Sequence, residues 1–347
     1  MKIHFNKIQI LIIFFLLFTP GLYSQAFTEL ISLQGVSSGS VVWGDYDNDG
    51  DLDILVAGSG ISKIYTNNGN STFSELTSLT GVSYASAAWG DYNNDGYLDI
   101  LLTGDSGGFF TGLYKNNGNS TFTLVTGNSF EGVYDGSVAW CDYDNDGDLD
   151  FALMGENATG NRITKIYKNL GTDVFEEQSA IQLTGLRAGS LSWGDYDNDG
   201  WTDLLQVGSN ISRLYHNNGD NTFTAGILAY YDGFNVGNAI WNDYNNDGRL
   251  DFFGCGLQNG PKSYIYQKNA DDSFTKQTGI SLTGVYYSSS AWGDYNNDGY
   301  ADLLISGTTD GNASGGITRL YQNNGNNTFS EVATVMAGLI YTSVAWG

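Results

Sequence analysis

Several residue types that carry diagnostic chemistry are scarce in this chain. Its 347 residues include two cysteines, two histidines and only 14 lysines and arginines, against 38 aspartates and glutamates. We expect Cys141 and Cys255 to be small buried residues rather than a disulfide pair. A formal charge of -24 leaves no basic footprint for nucleic acid, so that class of partner is excluded.

The residues and motifs of common catalytic sites are also scarce. The chain contains no H-E-x-x-H motif and no paired catalytic cysteine and histidine. After residue 24 the only histidine is His216, and we predict that it is an exposed turn residue. Other copies of the repeat described below place different residues at its position, namely Thr66, Lys115, Lys168, Gln267 and Gln322. We therefore predict that the protein is not an enzyme.

Long apolar runs are absent except near the start. Lys2 and Lys7 precede an apolar run at residues 8–18, which ends at Thr19-Pro20-Gly21. This pattern predicts a secretory signal peptide at residues 1–24, with Ser24 as a small residue for cleavage. The run is too short to span a bilayer, which takes about 20 residues. We expect a secreted or cell-surface protein with no membrane span.

Aspartate, asparagine and glycine are abundant, and they are concentrated in one motif. The stretch Asp45 to Asp53 reads D-Y-D-N-D-G-D-L-D, and five close copies begin at Asp91, Asp142, Asp195, Asp243 and Asp294. These six loops contain 23 of the 38 acidic residues. Side-chain oxygens recur at positions 1, 3, 5 and 9, and glycine at position 6 allows a sharp turn that lets the carbonyl at position 7 face an ion.

Oxygen donors in this order favour Ca²⁺, which takes six to eight oxygen ligands in flexible geometry. A plain Asp/Asn/Gly turn is the alternative for one copy, but six copies argue against it. An EF-hand needs a glutamate at position 12, where the first loop has Val56. The sequence predicts about six Ca²⁺ sites, with these ligand residues: Asp45, Asp47, Asp49, Asp51, Asp53; Asp91, Asn93, Asp95, Tyr97, Asp99; Asp142, Asp144, Asp146, Asp148, Asp150; Asp195, Asp197, Asp199, Trp201, Asp203; Asp243, Asn245, Asp247, Arg249, Asp251; Asp294, Asn296, Asp298, Tyr300, Asp302.

The loops recur every 46 to 53 residues, a period typical of solenoids and propellers. In one unit we predict strand A at 85–89, strand B at 99–103, strand C at 112–115 and strand D at 121–125. Four antiparallel strands per unit predict an all-β fold, a β-propeller at residues 25–347. Recurring tryptophan, tyrosine and phenylalanine should pack between blades. Six units are complete and a seventh is C-terminally incomplete, so we expect seven blades, residues 26–33 pairing in the seventh; six is the alternative.

The W-G-D-Y-D-N-D-G-D-L-D core and the N-N-G-N-x-T-F turn resemble the FG-GAP/VCBS repeat, the blade of the integrin alpha-subunit propeller. The resemblance covers essentially the whole chain after residue 24. It implies a Ca²⁺-binding propeller whose ligands are the side chains at positions 1, 3, 5 and 9 and the carbonyl at position 7. Asn93, Asn245 and Asn296 replace a carboxylate at position 3, which should weaken binding.

The loops opposite the calcium end vary between copies, as a binding surface would. The connections from strand D to strand A are rich in tyrosine, and strand B to C connections carry insertions such as residues 105–111. The predicted ligand face comprises Tyr84, Tyr134, Asp135, Arg187, Asn235, Tyr286, Tyr287 and Tyr341. Aromatic rings there suit a glycan or an extracellular protein partner. The equal alternative is that these tyrosines are solvent-exposed loop residues without a binding role.

These features favour a non-catalytic adhesion or recognition module. The resemblance leaves one alternative, an accessory or catalytic propeller of a polysaccharide lyase or other carbohydrate-active protein, in which a tyrosine or lysine abstracts a proton and Ca²⁺ neutralises a uronate. A structural spacer is the third possibility.

Overall fold

The computed structural model describes residues 33–76, 78–226, 233–312, 315–333, 336–341 and 343–346. All named elements in these ranges are β-strands, and the strands pair in antiparallel order. None of the described residues forms a helix of the length and apolarity needed to cross a membrane. The predicted signal peptide lies outside the described residues, as does almost all of the predicted strand at 26–33. The all-β prediction is confirmed.

Six units of four strands follow one another. The first strands are β1 (Ser40–Gly44), β5 (Ser83–Gly90), β9 (Val133–Cys141), β13 (Ser190–Gly194), β17 (Asn235–Asn242) and β21 (Tyr286–Gly293). The second strands are β2 (Asp53–Gly58), β6 (Asp99–Asp105), β10 (Asp150–Asn157), β14 (Asp203–Gly208), β18 (Asp251–Leu257) and β22 (Asp302–Thr308).

The third strands are β3 (Ile61–Asn67), β7 (Phe109–Asn116), β11 (Arg162–Asn169), β15 (Ile211–Asn217), β19 (Pro261–Lys268) and β23 (Gly316–Asn323). The fourth strands are β4 (Phe73–Leu76), β8 (Phe122–Leu124), β12 (Phe175–Glu177), β16 (Phe223–Ala225), β20 (Phe274–Lys276) and β24 (Phe329–Val332). The four predicted strands of the second unit are therefore confirmed. The predicted connection at 105–111 is wrong in part, because Phe109 and Phe110 begin β7 and pair with β6.

Each unit pairs its strands in chain order. The second and third units are also joined into one eight-stranded sheet, through the pairing of Phe110 with Val133. The second strand is the most buried, and all six residues of β2 are buried. Because apolar units pack on both of its faces, it reads as a continuous apolar run rather than an alternating one. The fourth strand is short and mostly exposed, which suits an outer edge.

The core lies between successive units. One cluster joins Tyr46 and Leu55 of the first unit to Ile100 and Leu102 of the second. Tyr46 also stacks on Trp89 of the next unit, with ring centroids 6.0 Å apart and planes 4° apart. The indole of Trp89 donates a hydrogen bond to the Val42 carbonyl, and Trp140, Trp193, Trp241 and Trp346 make the same bond to the preceding unit. The predicted aromatic packing between units is confirmed.

The last described residues contact both the sixth unit and the first. The Tyr341 N–H donates to the Tyr287 carbonyl, and its own carbonyl accepts from the Ser38 N–H at 2.9 Å. The Ser343 hydroxyl reaches the carbonyl of Val41 in β1. Residues 336–341 and 343–346 therefore link the first and sixth units.

Both cysteines are buried thiols. Cys141 ends β9 and Cys255 lies in β18, and neither forms a disulfide. Burial raises the pKa of Cys255 to about 11, so its thiol stays protonated and donates to the Asn238 side chain. The prediction of two small buried residues is confirmed.

Candidate functional site: an acidic end and an aromatic end

Antiparallel pairing gives each unit two ends. The acidic end carries the six nine-residue loops and the turns between third and fourth strands. The aromatic end carries the other connections. There Val82, just before β5, pairs with Ile61, the first residue of β3. The predicted metal residues all lie at the acidic end, and the predicted ligand face lies at the aromatic end.

The first aspartate of every loop fixes the loop backbone. Asp45 Oδ1 accepts the N–H of Asp49 at 3.1 Å, and Asp45 Oδ2 accepts the N–H of Gly50 at 3.0 Å. The same two bonds recur in the other five loops. Position 5 adds a bond to the N–H of position 7 in each loop, as Asp49 does to Asp51. These bonds fold each loop around its carboxylates.

The aspartate at position 9 joins the loop to its own third strand. Asp99 is fully buried, and its two oxygens accept N–H bonds from Asn116 at 2.7 Å and Tyr92 at 3.2 Å. Burial raises the pKa of Asp53, Asp99, Asp150, Asp203 and Asp251 to about 7, and that of Asp302 to about 6, against an ordinary value of 3.8. A cation placed against these groups would favour their charged form.

Position 3 carries unsatisfied oxygens. Among the described residues, Oδ1 of Asp47, of Asp144 and of Asp197 is buried and accepts no hydrogen bond. One oxygen each from Asp45, Asp47 and Asp53 lie within 4.8 Å of one another, as do oxygens of loops three and four at positions 1, 3 and 5. Oxygens bound to one Ca²⁺ at 2.3–2.6 Å lie at most about 5 Å apart, so this donor set fits the ion.

In loops one, three and four position 3 is an aspartate, whose side chain offers two oxygens. The loops with asparagine at position 3 use that side chain inside the loop: Asn93, Asn245 and Asn296 each accept the N–H of position 5. Their backbone otherwise repeats that of the first loop.

The side chains at position 7 pack over the turn between the third and fourth strands in several units. A Cβ added to Gly118 would lie 3.0 Å from Tyr97, and one on Gly219 would lie 2.5 Å from Trp201. In the fifth unit Ala270 replaces this glycine, and position 7 is Arg249, which bonds to the Lys268 carbonyl instead. The simultaneous change at position 7 and at the turn glycine is visible in the sequence and indicates that the two positions are in contact.

Asparagine at position 4 is a structural residue that the sequence reasoning missed. It is present in all six loops with positive φ. Asn48 Nδ2 donates to the Gly96 carbonyl of the next loop at 2.8 Å, and Asn94, Asn145 and Asn246 make the same link. Adjacent loops are therefore tied in series. Its invariance across the six copies was visible in the sequence.

The prediction for His216 is wrong. It lies in β15, half-buried, with Nδ1 at 3.2 Å from Asp197 Oδ2 and 3.3 Å from Asp203 Oδ1. The third strand runs back toward the loop, so the residue after its tyrosine faces the carboxylates. At the same position Lys168 pairs with Asp144 and Asp146, and Lys115 stands 3.7 Å from Asp95.

Aromatic rings converge at the other end. Tyr134 packs against Phe109 at 4.7 Å and meets Tyr84 edge-on at 5.8 Å between centroids. Tyr287 lies 4.0 Å from Tyr341 and 5.0 Å from Tyr286. Burial raises the pKa of Tyr341, and the hydrogen bond to Tyr287 and the nearby Tyr84 and Tyr286 add to the shift. We call the six residues Tyr84, Phe109, Tyr134, Tyr286, Tyr287 and Tyr341 the aromatic patch.

A charged pair lies beside Tyr134. Arg187 Nη1 is 2.8 Å from Glu156 Oε2 and donates to the Tyr134 hydroxyl at 3.0 Å, while that hydroxyl donates to Glu156 Oε1. Burial raises the pKa of Asp135 to about 6, against the opposing effect of Arg187. The sequence reasoning named Arg187 and Tyr134 but not Glu156 or Phe109 as site residues. Asn235 lies in β17 at the same end and makes no described contact with the patch.

Seven equivalent residues at the aromatic end adopt left-handed backbone angles. Their φ values run from 47° to 54°, at Ser38, Tyr84, Asp135, Ala188, Val236, Tyr287 and Tyr341. Hydrogen bonds connect several of them: Val236 N–H donates to Ala188, Ala188 to Asp135, Tyr341 to Tyr287, and Ser38 to Tyr341. Non-glycine residues are uncommon in this region, and bulky ones more so.

Comparison with known proteins agrees with the repeat architecture. The FG-GAP-like repeat profile matches residues 45–102, 91–153, 195–253 and 243–305. The chain belongs to the FG-GAP-like repeat family. A comparison with curated protein sequences finds no match.

A solved structure of similar fold shares little sequence with this FG-GAP-like protein. An Agrocybe aegerita lectin, reported for its specific recognition of non-reducing terminal N-acetylglucosamine, superposes with a TM-score of 0.60 at 19% identity. The match covers 88% of this chain and 82% of the lectin. Two larger proteins match more weakly. The Photorhabdus luminescens Tc holotoxin pore has a TM-score of 0.44 at 16% identity, over 78% of this chain and 13% of that one. The V. cholerae biofilm matrix protein Bap1 has a TM-score of 0.39 at 15% identity, over 74% of this chain and 41% of its own.

Proposed function

We propose that the protein is an exported, calcium-stabilised glycan-recognition module. Its acidic end binds Ca²⁺ and holds the units together. Its aromatic end presents the aromatic patch, with Arg187 and Glu156 beside it, to a sugar. The convergence of these aromatic rings from the second, third and sixth units and from Tyr341 is the observation that carries this proposal.

The patch has the chemistry that sugars require. A pyranose ring packs its C–H face on an aromatic ring, while its hydroxyls need charged or polar hydrogen-bond partners. Tyr84 is 47% exposed, so its ring is available to a ligand. The Arg187–Glu156 pair is one-fifth to one-third exposed and supplies both donors and acceptors next to Tyr134. The lectin of similar fold gives N-acetylglucosamine-terminated glycans as the first ligands to try.

Backbone strain supports a ligand role for the same residues. Holding a non-glycine residue in the left-handed region costs about 1–2 kcal/mol, and such outliers concentrate at functional sites. Tyr84, Tyr287 and Tyr341 all occupy this region. A position that only had to turn the chain would favour glycine or asparagine. Tyrosine there implies that its side chain is needed.

The calcium role follows from the unsatisfied oxygens at position 3. The side chains at positions 1, 3, 5 and 9 would hold the ion, with the position-7 carbonyl as a further ligand, and Ca²⁺ would supply charge that stabilises the folded loops. The described residues place the only histidine at the acidic end, away from the aromatic patch, which supports a non-catalytic role.

We further propose that the units close into a seven-bladed propeller. Seven left-handed positions, the Ser38–Tyr341 bond and the Ser343–Val41 bond support closure of the first unit onto residues 336–341 and 343–346. Closure would gather the seven D-to-A connections around one mouth, where one ligand could contact several of them.

Glycan-array screening followed by calorimetry tests the ligand proposal. The wild-type protein should bind a defined glycan class, and Tyr134→Ala and Tyr84→Ala should each weaken that binding at least tenfold. Tyr97→Ala, which removes an aromatic ring at the acidic end, should leave the affinity within twofold. Equal affinity of the wild type and all three variants would show that the aromatic patch does not bind the glycan.

The alternative activity has its own readout. Incubation with polyuronates, followed by absorbance of unsaturated products, should show no cleavage. Cleavage that is lost in Tyr134→Phe would instead favour the lyase function.

A further inference from the structure

Loops one and three form a natural matched pair. Their nine residues are identical, D-Y-D-N-D-G-D-L-D, at 45–53 and 142–150. Each carries five aspartates, more than any other loop, so their own ligands predict equal and strong Ca²⁺ binding. Any difference between them must come from residues outside the loop.

The difference is on the third strand. Thr66 in β3 and Lys168 in β11 occupy the same position, immediately after the strand tyrosine. The Thr66 hydroxyl is 2.7 Å from the Tyr46 hydroxyl. Among the described residues, no lysine, arginine or histidine forms an ion pair with a loop-one carboxylate. Lys168 Nζ instead pairs with Asp144 at position 3 and lies 3.1 Å from Asp146 Oδ2 at position 5.

The ammonium group neutralises two of the carboxylates that Ca²⁺ would use, through Oδ2 of Asp144 and of Asp146. The side chain of Asp144 is only 10% exposed, and that of Lys168 is 26% exposed, so the pair is partly shielded from water. Separating a shielded ion pair is costly, because it leaves a charge without its partner. A Ca²⁺ ion held by Asp144 and Asp146 would also lie close to the ammonium group, and repulsion between the two cations opposes entry of the ion into loop three.

Lys115 shows why distance matters at this position. In the second unit Nζ stands 3.7 Å from one oxygen of Asp95, its side chain is 37% exposed, and position 3 is the neutral Asn93. Lys115 therefore approaches only the position-5 aspartate of its loop. Lys168 alone among the lysines of the described residues pairs with both position 3 and position 5 of one loop.

We propose that Lys168 is an intrinsic counter-cation of the third loop, so that this loop folds without Ca²⁺ while the identical first loop binds the ion. The inference rests on the proposed calcium function. It makes the number of bound ions depend on the residue after the third-strand tyrosine, and it replaces the expectation that all six loops bind the ion.

The test counts Ca²⁺ bound per protein by equilibrium dialysis and elemental analysis of the full chain. Lys168→Thr should bind one ion more than the wild type, and Thr66→Lys should bind one fewer. The double exchange should restore the wild-type number. Lys165→Thr is the control, because this lysine lies on the same strand but pairs with Glu131 and Glu177 instead, and its ion count should be unchanged.

The outcomes separate this inference from the calcium function. A wild-type protein that binds no Ca²⁺ overturns the function itself. A wild type that binds Ca²⁺, with the same ion count in Lys168→Thr, overturns the counter-cation. If Lys168→Thr does not fold, the ion count of Thr66→Lys tests the proposal alone. One ion fewer supports the counter-cation role, and an unchanged count contradicts it.

Discussion

Both ends of the units contain residues with a left-handed backbone conformation, but the residue types at these positions differ. At the acidic end, position 4 of every loop has φ between 56° and 60°, and the residue is always asparagine. At the aromatic end, seven positions have φ between 47° and 54°, and the residues are serine, tyrosine, aspartate, alanine or valine. Asparagine tolerates this region well, whereas tyrosine and valine do not.

The contrast suggests different roles for the two ends: the acidic end stabilises the fold, and the aromatic end presents variable side chains. The acidic end keeps the residue that suits the backbone and uses it to tie one loop to the next. The aromatic end accepts strain and varies its side chains, as selection for binding would require. Substitutions that exploit this difference should affect stability at one end and binding at the other.

The largest stability effect should come from a position-9 aspartate. Asp99→Ala removes the acceptor of two buried N–H groups and should lower the free energy of unfolding by about 3 kcal/mol. Urea denaturation measures the loss, which should persist in chelator because the N–H groups remain unpaired there. Tyr84→Ala at the aromatic end should cost less than about 1 kcal/mol. A comparable loss in both variants would erase the distinction between the ends.

The pH dependence of the chelated protein should sharpen the contrast. Burial raises the pKa of the position-9 aspartates to about 7 in the folded protein, against about 4 when unfolded. The folded state therefore binds more protons in this window, and the metal-free protein should lose stability as pH rises from 4 to 7. Saturating Ca²⁺ should weaken this dependence. Thermal unfolding across pH, with and without chelator, measures it, and a stability that rises with pH in chelator would contradict these pKa shifts.

The links between loops should have a smaller effect. Asn145→Gly keeps the left-handed backbone but removes the bond to the Gly200 carbonyl, and should cost about 1 kcal/mol. Asn198 has the same backbone angle and no such bond among the described residues. Asn198→Gly is thus the matched control and should be close to neutral. Equal urea midpoints for the two variants would mean that the link adds nothing.

The smallest effect should be a gain at the aromatic end. Ala188 has φ of 53°, so Ala188→Gly relieves strain and should raise the free energy of unfolding by about 0.5 kcal/mol. Ala139→Gly in β9, where φ is not positive, should instead lower it by about 1 kcal/mol. The urea midpoints should shift in opposite directions. A loss in Ala188→Gly as large as that in Ala139→Gly would argue against strain.

Periodic features were predictable from the sequence, whereas contacts between distant segments were not. The loops, the strands and the tryptophan packing recur every 46 to 53 residues, so one unit could be checked against five others. His216 was misjudged because its loop partner Asp197 lies on another segment, and they meet only after the hairpin folds. Tyr134 in β9, Glu156 in β10 and Arg187 before β13 lie on three separate segments, and the folded chain brings them together.

The thermal midpoint of the protein in 2 mM Ca²⁺ and in excess chelator tests the central claim most directly. A site with a dissociation constant near 0.1 mM adds about 1.5–2 kcal/mol at this concentration. Several such sites should raise the midpoint by more than about 10 °C. An unchanged midpoint would show that the acidic loops are turns that fold without metal, and would contradict the division of the molecule into a calcium-held end and a ligand-binding end.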